Sequence, residues 1–263
     1  CGWGSVCRAP RRSKSSNASS RPKGWIAQTR CLKSRADGYR FRVKLPYLAC
    51  AVAAAAASLL AVPHAQAADC PDIEVVFARG TWEPPGVGRI GQAFVDAVTA
   101  DAGGKSVNVY PVNYPASTDF PRAVDGVLDA SNHIRATALN CPKTKMVLGG
   151  YSQGAAVMGF VTANAMPDGF TPPPGLTGPM PDDVADNIAA IALFGKPSPG
   201  FLNTIGAPPI AIGPAYVAKT IELCVPDDTI CNGAPAGGPS FAHITYGSNG
   251  MADQAATFVV SRL

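Results

Sequence analysis

Histidine is scarce in this sequence. Three occur in 263 residues, and His64 falls in an N-terminal stretch set apart below. That leaves His133 and His243 as the imidazoles available to the rest of the chain. No C-x-x-C pair is present, which removes the zinc-finger and zinc-ribbon spacings. There is no internal repeat, so a solenoid or propeller is not indicated. Acidic charge is nearly missing from the first 67 residues, where Asp37 stands against twelve Lys and Arg. The whole chain holds 22 Lys and Arg and 18 Asp and Glu. Setting the first 67 residues aside leaves 10 basic and 17 acidic residues, a net charge of about −7 rather than +4. The basic balance belongs to the leader, so nucleic-acid binding has no support.

The leader itself is informative. Residues 1–39 are rich in Ser, Arg and Lys, show no apolar periodicity and cannot build a core. The chain starts with Cys1 rather than Met, and this stretch is read as a disordered or non-native leader. Residues 40–67 then combine a basic flank, an Ala/Val/Leu run to Val62 and the small-x-small pattern Ala65-Gln66-Ala67. That order reads as a signal peptide cleaved after Ala67. The competing reading is an uncleaved anchor. It is disfavoured because the run is near the lower limit for a span and is mostly alanine. The remaining 68–263 suit one domain with a substantial core.

Four cysteines remain in that domain: Cys70, Cys141, Cys224 and Cys231. An even number in an exported chain implies two disulfides, with three connectivities open. The short loop between Cys224 and Cys231 favours pairing them, leaving Cys70 for Cys141.

Apolar periodicity alternates between strand and helix. Strands are expected at 73–78, 107–112, 145–149, 188–194 and 220–224, with helices at 87–102, 123–139, 153–165 and within 244–262. Alternation of this kind implies a mainly parallel sheet covered on both faces. Two Pro- and Gly-rich stretches, 166–183 and 197–214, read as loops.

Gly150-Tyr151-Ser152-Gln153-Gly154 stands between an expected strand and an expected helix. A G-x-S-x-G in that context is the nucleophile elbow of an α/β-hydrolase. Ser152 then needs a base and an acid, in the order Ser, Asp, His. His133 precedes the serine among polar neighbours and reads as a solvated helix residue, which leaves His243. Asp168, Asp182, Asp183 and Asp186 border the proline-rich loop and read as solvated. Asp227 and Asp228 lie just past the fifth strand, inside the Cys224–Cys231 loop, and the pattern does not separate them. An oxyanion hole needs two donors. The N–H of Gln153 is one candidate, and Thr81, in the turn after the first strand, is the other.

These segments resemble the cutinases, most closely the cutinase-like secreted esterases of actinobacteria. The resemblance rests on Val76-Phe77-Ala78-Arg79-Gly80-Thr81, Val112-Asn113-Tyr114-Pro115-Ala116, Leu148 to Ala155, Cys224 to Cys231 and His243. It covers nearly all of 69–263. It selects Asp228 as the acid, supports Cys70–Cys141 as the second disulfide, and supports Thr81 with Gln153 as the oxyanion pair. It implies a three-layer α/β-hydrolase with a five-stranded mainly parallel sheet and no large lid. It further implies hydrolysis of carboxylic esters through an acyl-enzyme, and the chain is read as acting on short- to medium-chain lipid-like or cutin-type esters. No cofactor or metal, a monomer and transient contact with a lipid interface are also expected. Trp82, the 166–183 loop and Phe241 are bulkier than the small rim of fungal members, so acyl-chain preference does not carry over. The alternatives are a phospholipase A or lipase, an acetylxylan esterase, and a non-catalytic surface-binding protein on the same fold.

Overall fold

Five apolar runs become strands, and the three most apolar of them form the middle of the sheet. In the computed structural model, which describes residues 70–235 and 238–263, β1 is Ile73–Ala78 with every residue buried. Val107–Pro111 is β2, Lys145–Tyr151 β3, Ile188–Phe194 β4 and Thr220–Leu223 β5. The order is β2-β1-β3-β4-β5, and every pair is parallel. The half-buried strands β2 and β5 take the edges. The leader read at 1–39 and the signal segment read at 40–67 lie outside the described residues.

Parallel neighbours require crossovers, and the crossovers are helices. The long ones are α1 (Gly88–Asp101), α2 (Ala123–Asn140) and α3 (Gln153–Val161). Two short helices follow, α4 (Pro199–Thr204) and α5 (Pro214–Val217), and α6 (Met251–Val260) ends the fold. The period of two along β1 divides the core. Ile73, Val75 and Phe77 point to the layer of α1 and α6, whereas Val76 and Ala78 point to that of α2 and α3. On the α1/α6 side Phe77, Phe94 and Phe194 form a ring cluster with centroids 5.5–6.4 Å apart. The result is a three-layer α/β sandwich.

The same alternation sends Glu74 toward α2, where it is buried. His133 on α2 meets it with Nε2 3.0 Å from Oε2, and the Thr137 hydroxyl donates to that oxygen at 2.8 Å. Asn108 donates to Oε1, and the Tyr110 ring stacks on His133 at 3.4 Å. His133 is therefore not the solvated helix residue expected. Its partner lies 59 positions earlier in another element, beyond the reach of local pattern.

Of the two proline-rich stretches, 166–181 is the loop expected, whereas 197–214 is not. Leu176 and Met180 pin that loop against the α2 layer, and it ends at a 3-10 turn over 182–187. In 197–214 the structure has α4 and the start of α5 instead of an uninterrupted loop. Ser198 caps α4 by accepting from the N–H of Phe201 at 3.2 Å, and Pro199 opens it. Two disulfides are present, Cys70–Cys141 and Cys224–Cys231.

Candidate active site

Chain order reverses at β1, so the carboxyl ends of β1 and β3 form the crevice in which this topology binds ligands. Ser152 sits there, between the end of β3 and the start of α3. Its backbone is at φ 54°, ψ −117°, a conformation costing about 1–3 kcal/mol for a residue with a side chain. The flanking glycines are steric necessities. A Cβ on Gly154 would lie 1.9 Å from the Ala78 carbonyl oxygen, and one on Gly150 would lie 2.3 Å from that of Gly154. The Ser152 N–H donates to the Phe194 carbonyl at the end of β4, which fixes the turn against the sheet.

Asp228 and His243 reach the same point from two loops. The Ser152 Oγ lies 2.8 Å from His243 Nε2. The other ring nitrogen, Nδ1, lies 2.8 Å from Asp228 Oδ2. With the carboxylate as acceptor, Nδ1 carries the proton and Nε2 is left to accept from the serine. His243 and Asp228 are both buried, and Asp227 is exposed. The Asp228 carboxylate is satisfied on every side. Oδ1 accepts from the Ile230 N–H at 3.0 Å, and Oδ2 also accepts from the Tyr246 hydroxyl at 2.5 Å. The Cys231 sulfur packs 3.1 Å from the same oxygen. Burial alone would raise the carboxyl, but the bonds from His243, Tyr246 and Ile230 hold it below its ordinary value.

Tyr246 and Tyr151 were not anticipated from pattern. Tyr246 is fully buried, and its oxygen also accepts from the Val225 N–H. Tyr151 donates to the His243 carbonyl at 2.7 Å, with its ring 5.0 Å from the imidazole. Tyr151 stands inside the G-x-S-x-G itself, and Tyr246 three residues after His243. Those positions were the available signal.

Thr81 and Gln153 also meet here. Gln153 opens α3, so its N–H has no acceptor inside the helix. Its side-chain amide donates to the Ser117 carbonyl at 2.9 Å, and its Oε1 lies 3.5 Å from the Thr81 hydroxyl. The Thr81 turn is held on both sides. Glu83 Oε2 accepts from the Gly80 N–H at 2.7 Å, and Trp82 N–H donates to Ala116 O at 2.8 Å. Buried Arg79 donates from Nε to the Glu83 carbonyl and from its other nitrogens to those of Val112 and Tyr114. Trp82 and Phe241 stand at the rim, 78% and 81% exposed. Among the described residues no cluster of His, Cys, Asp and Glu could hold a metal ion, and no helix is long and apolar enough to cross a membrane.

A nucleophilic hydroxyl, a base and a buried acid in one hydrogen-bonded chain can perform acyl transfer. Comparison with known proteins points the same way. The profile of the family described as Cutinase matches residues 69–263. The probable carboxylesterase Culp5 of Mycobacterium tuberculosis is 54% identical over 176 residues, 67% of this chain and 98% of its own. Phospholipase Culp4 of the same organism is 50% identical over 216 residues, 81% of this chain and 89% of its own. Among solved structures, a Trichoderma reesei cutinase in complex with a phosphonate inhibitor is 33% identical with a TM-score of 0.57. That match covers 73% of this chain and 76% of the other.

Proposed function

The chain belongs to the cutinase family, and we propose that it is an exported serine esterase using Ser152, His243 and Asp228. Its activity is hydrolysis of carboxylic esters. The observation that carries the mechanism is the hydrogen-bonded chain from Ser152 Oγ through His243 to Asp228. His243 Nε2 takes the serine proton as Oγ attacks the ester carbonyl. The same nitrogen returns that proton to the leaving alcohol, and an acyl-enzyme remains. Water, deprotonated by His243, then releases the acid and restores the serine. Asp228 orients the ring and stabilises the imidazolium. The N–H groups of Gln153 and Thr81 receive the oxyanion, with the Thr81 hydroxyl adding a third donor.

The substrates fitting this reading are lipid-like esters of short to medium chain. Exposed Trp82, Phe241 and Ile244 beside the site support transient contact with a lipid interface by a monomer. The basic flank, apolar run and Ala65-Gln66-Ala67, together with two disulfides, support export. A phospholipase is the second reading, favoured by the similarity to a protein named phospholipase. Hydrolysis of p-nitrophenyl butyrate by the 68–263 chain and its Ser152→Ala variant tests the mechanism. A variant retaining full turnover contradicts it. Faster release of fatty acid from dispersed phosphatidylcholine than from butyrate esters moves the assignment to the second reading.

A further inference from the structure

A cavity lined wholly by apolar residues lies away from the serine. It has a volume of about 270 Å³ and lies against the outer side of α2 and α3. Val124 and Val127 of α2 and Phe160 of α3 form its floor, and Met166 and Phe170 come from the strap that follows α3. Ile205 to Pro208, after α4, complete its lining. Every residue of its lining is Phe, Pro, Ala, Val, Met, Leu, Ile or Gly, and none offers a polar side chain. A polar or charged ligand would lose its hydrogen bonds to water there without replacement. A hydrocarbon loses nothing and gains apolar contact along its whole length.

The cavity is connected to the site by two elements. The 115–121 loop carries Ser117, which accepts from Gln153, and Phe120, which lines the cavity. Helix α3 begins beside Ser152 and reaches Phe160 about 10 Å further along its axis. The far end of the strap is fixed, because Leu176 and Met180 are buried and Arg135 donates to the carbonyls of Gly178 and Pro179. Its near end, 166–170, is partly exposed, with Met166 half-buried against the same core. We propose that this cavity is a binding site for a linear hydrocarbon chain, carried by an ester whose carbonyl is held at Ser152. The link to substrate rests on the esterase reading, whereas binding of the chain does not.

The two parts separate experimentally. Calorimetric titration of the Ser152→Ala protein with octanoate, decanoate and dodecanoate, below their micellar concentrations, reads binding without turnover. Each added methylene is expected to tighten Kd by about fourfold, which is about 0.8 kcal/mol. Val124→Trp and Ala207→Trp, introduced separately on two different elements of the lining, fill the cavity and are expected to weaken dodecanoate at least tenfold. Leu139→Ser, on the same helix but away from the cavity and 81% exposed, is expected to leave Kd unchanged. A Kd independent of chain length, or equal in the filled and unfilled proteins, overturns the site. In the active enzyme the filled variants should lower the ratio of kcat/KM for dodecanoate over butyrate esters at least tenfold. An unchanged ratio with dodecanoate binding lost in those variants removes the substrate chain as occupant. Loss of all hydrolysis on Ser152→Ala, with these results negative, would leave the esterase reading standing alone.

Discussion

The Tyr246 hydroxyl donates to Asp228 Oδ2 across 2.5 Å, on the same carboxylate oxygen that His243 Nδ1 uses. The phenol is fully buried, and burial together with the neighbouring carboxylate pushes its own ionisation up, so it stays a donor. Tyr246 thus helps keep Asp228 ionised without touching the reacting atoms. Removing the hydroxyl leaves a buried carboxylate with one donor fewer, which costs about 1–3 kcal/mol. Tyr246→Phe should lower kcat by about tenfold with KM unchanged. It should also move the acid limb of the pH–rate profile upward, because the less satisfied carboxylate holds protons on the dyad more strongly. An unshifted pH profile would make Tyr246 a packing residue alone.

The two disulfides should separate stability from turnover. Cys70–Cys141 closes 71 residues and joins the chain before β1 to the end of α2. Cys224–Cys231 spans seven and touches the acid directly. Chain entropy assigns about 4 kcal/mol to the first and about 2 kcal/mol to the second. Replacing Cys70 and Cys141 by Ser should cost mainly Tm. The Cys224→Ser/Cys231→Ser double variant should lose turnover out of proportion to its Tm. Full turnover in the second would show that the short bridge does not position Asp228.

Gly154→Ala should fail more completely than any alanine substitution at the rim. Its Cβ would overlap backbone on β1, which no rotamer can relieve. Loss of soluble folded protein, or of the cooperative thermal transition, is the expected result. A folded and active Gly154→Ala would mean that α3 can move away from β1.

Glu74 predicts an acid-side loss of stability. Burial would raise its carboxyl, but bonds from His133, Thr137 and Asn108 outweigh that and hold it below its ordinary value of 4.5. A depressed carboxyl contributes stability above pH 4.5 and loses it as pH falls through the folded value. Glu74→Gln should therefore reduce Tm at pH 7 and flatten the dependence of Tm on pH below 4.5. An unchanged slope there would assign the acid sensitivity to other groups.

Much of this was readable because it is local. The strand runs, the helices between them and the order Ser152, Asp228, His243 depend on spacing along the chain. Ser198-Pro199 is an equally local signal for α4, a capping serine before a proline at the first helical position, though the surrounding prolines mask it. What spacing cannot carry is pairing across elements. Glu74 on β1 meets His133 on α2 through the period of the strand, and Arg79 reaches two carbonyls after β2. The choice of Asp228 over Asp227 came from family resemblance, and the fold accounts for it by burying one and exposing the other.

The most direct test is where a phosphonate ester attaches. Treated with a p-nitrophenyl phosphonate and digested, the 68–263 protein should carry one adduct, on the peptide containing Ser152. Labelling should be lost in Ser152→Ala and strongly slowed in His243→Ala. An adduct on a different residue, or hydrolysis that continues in an unlabelled protein, would contradict the assignment of Ser152 as the nucleophile.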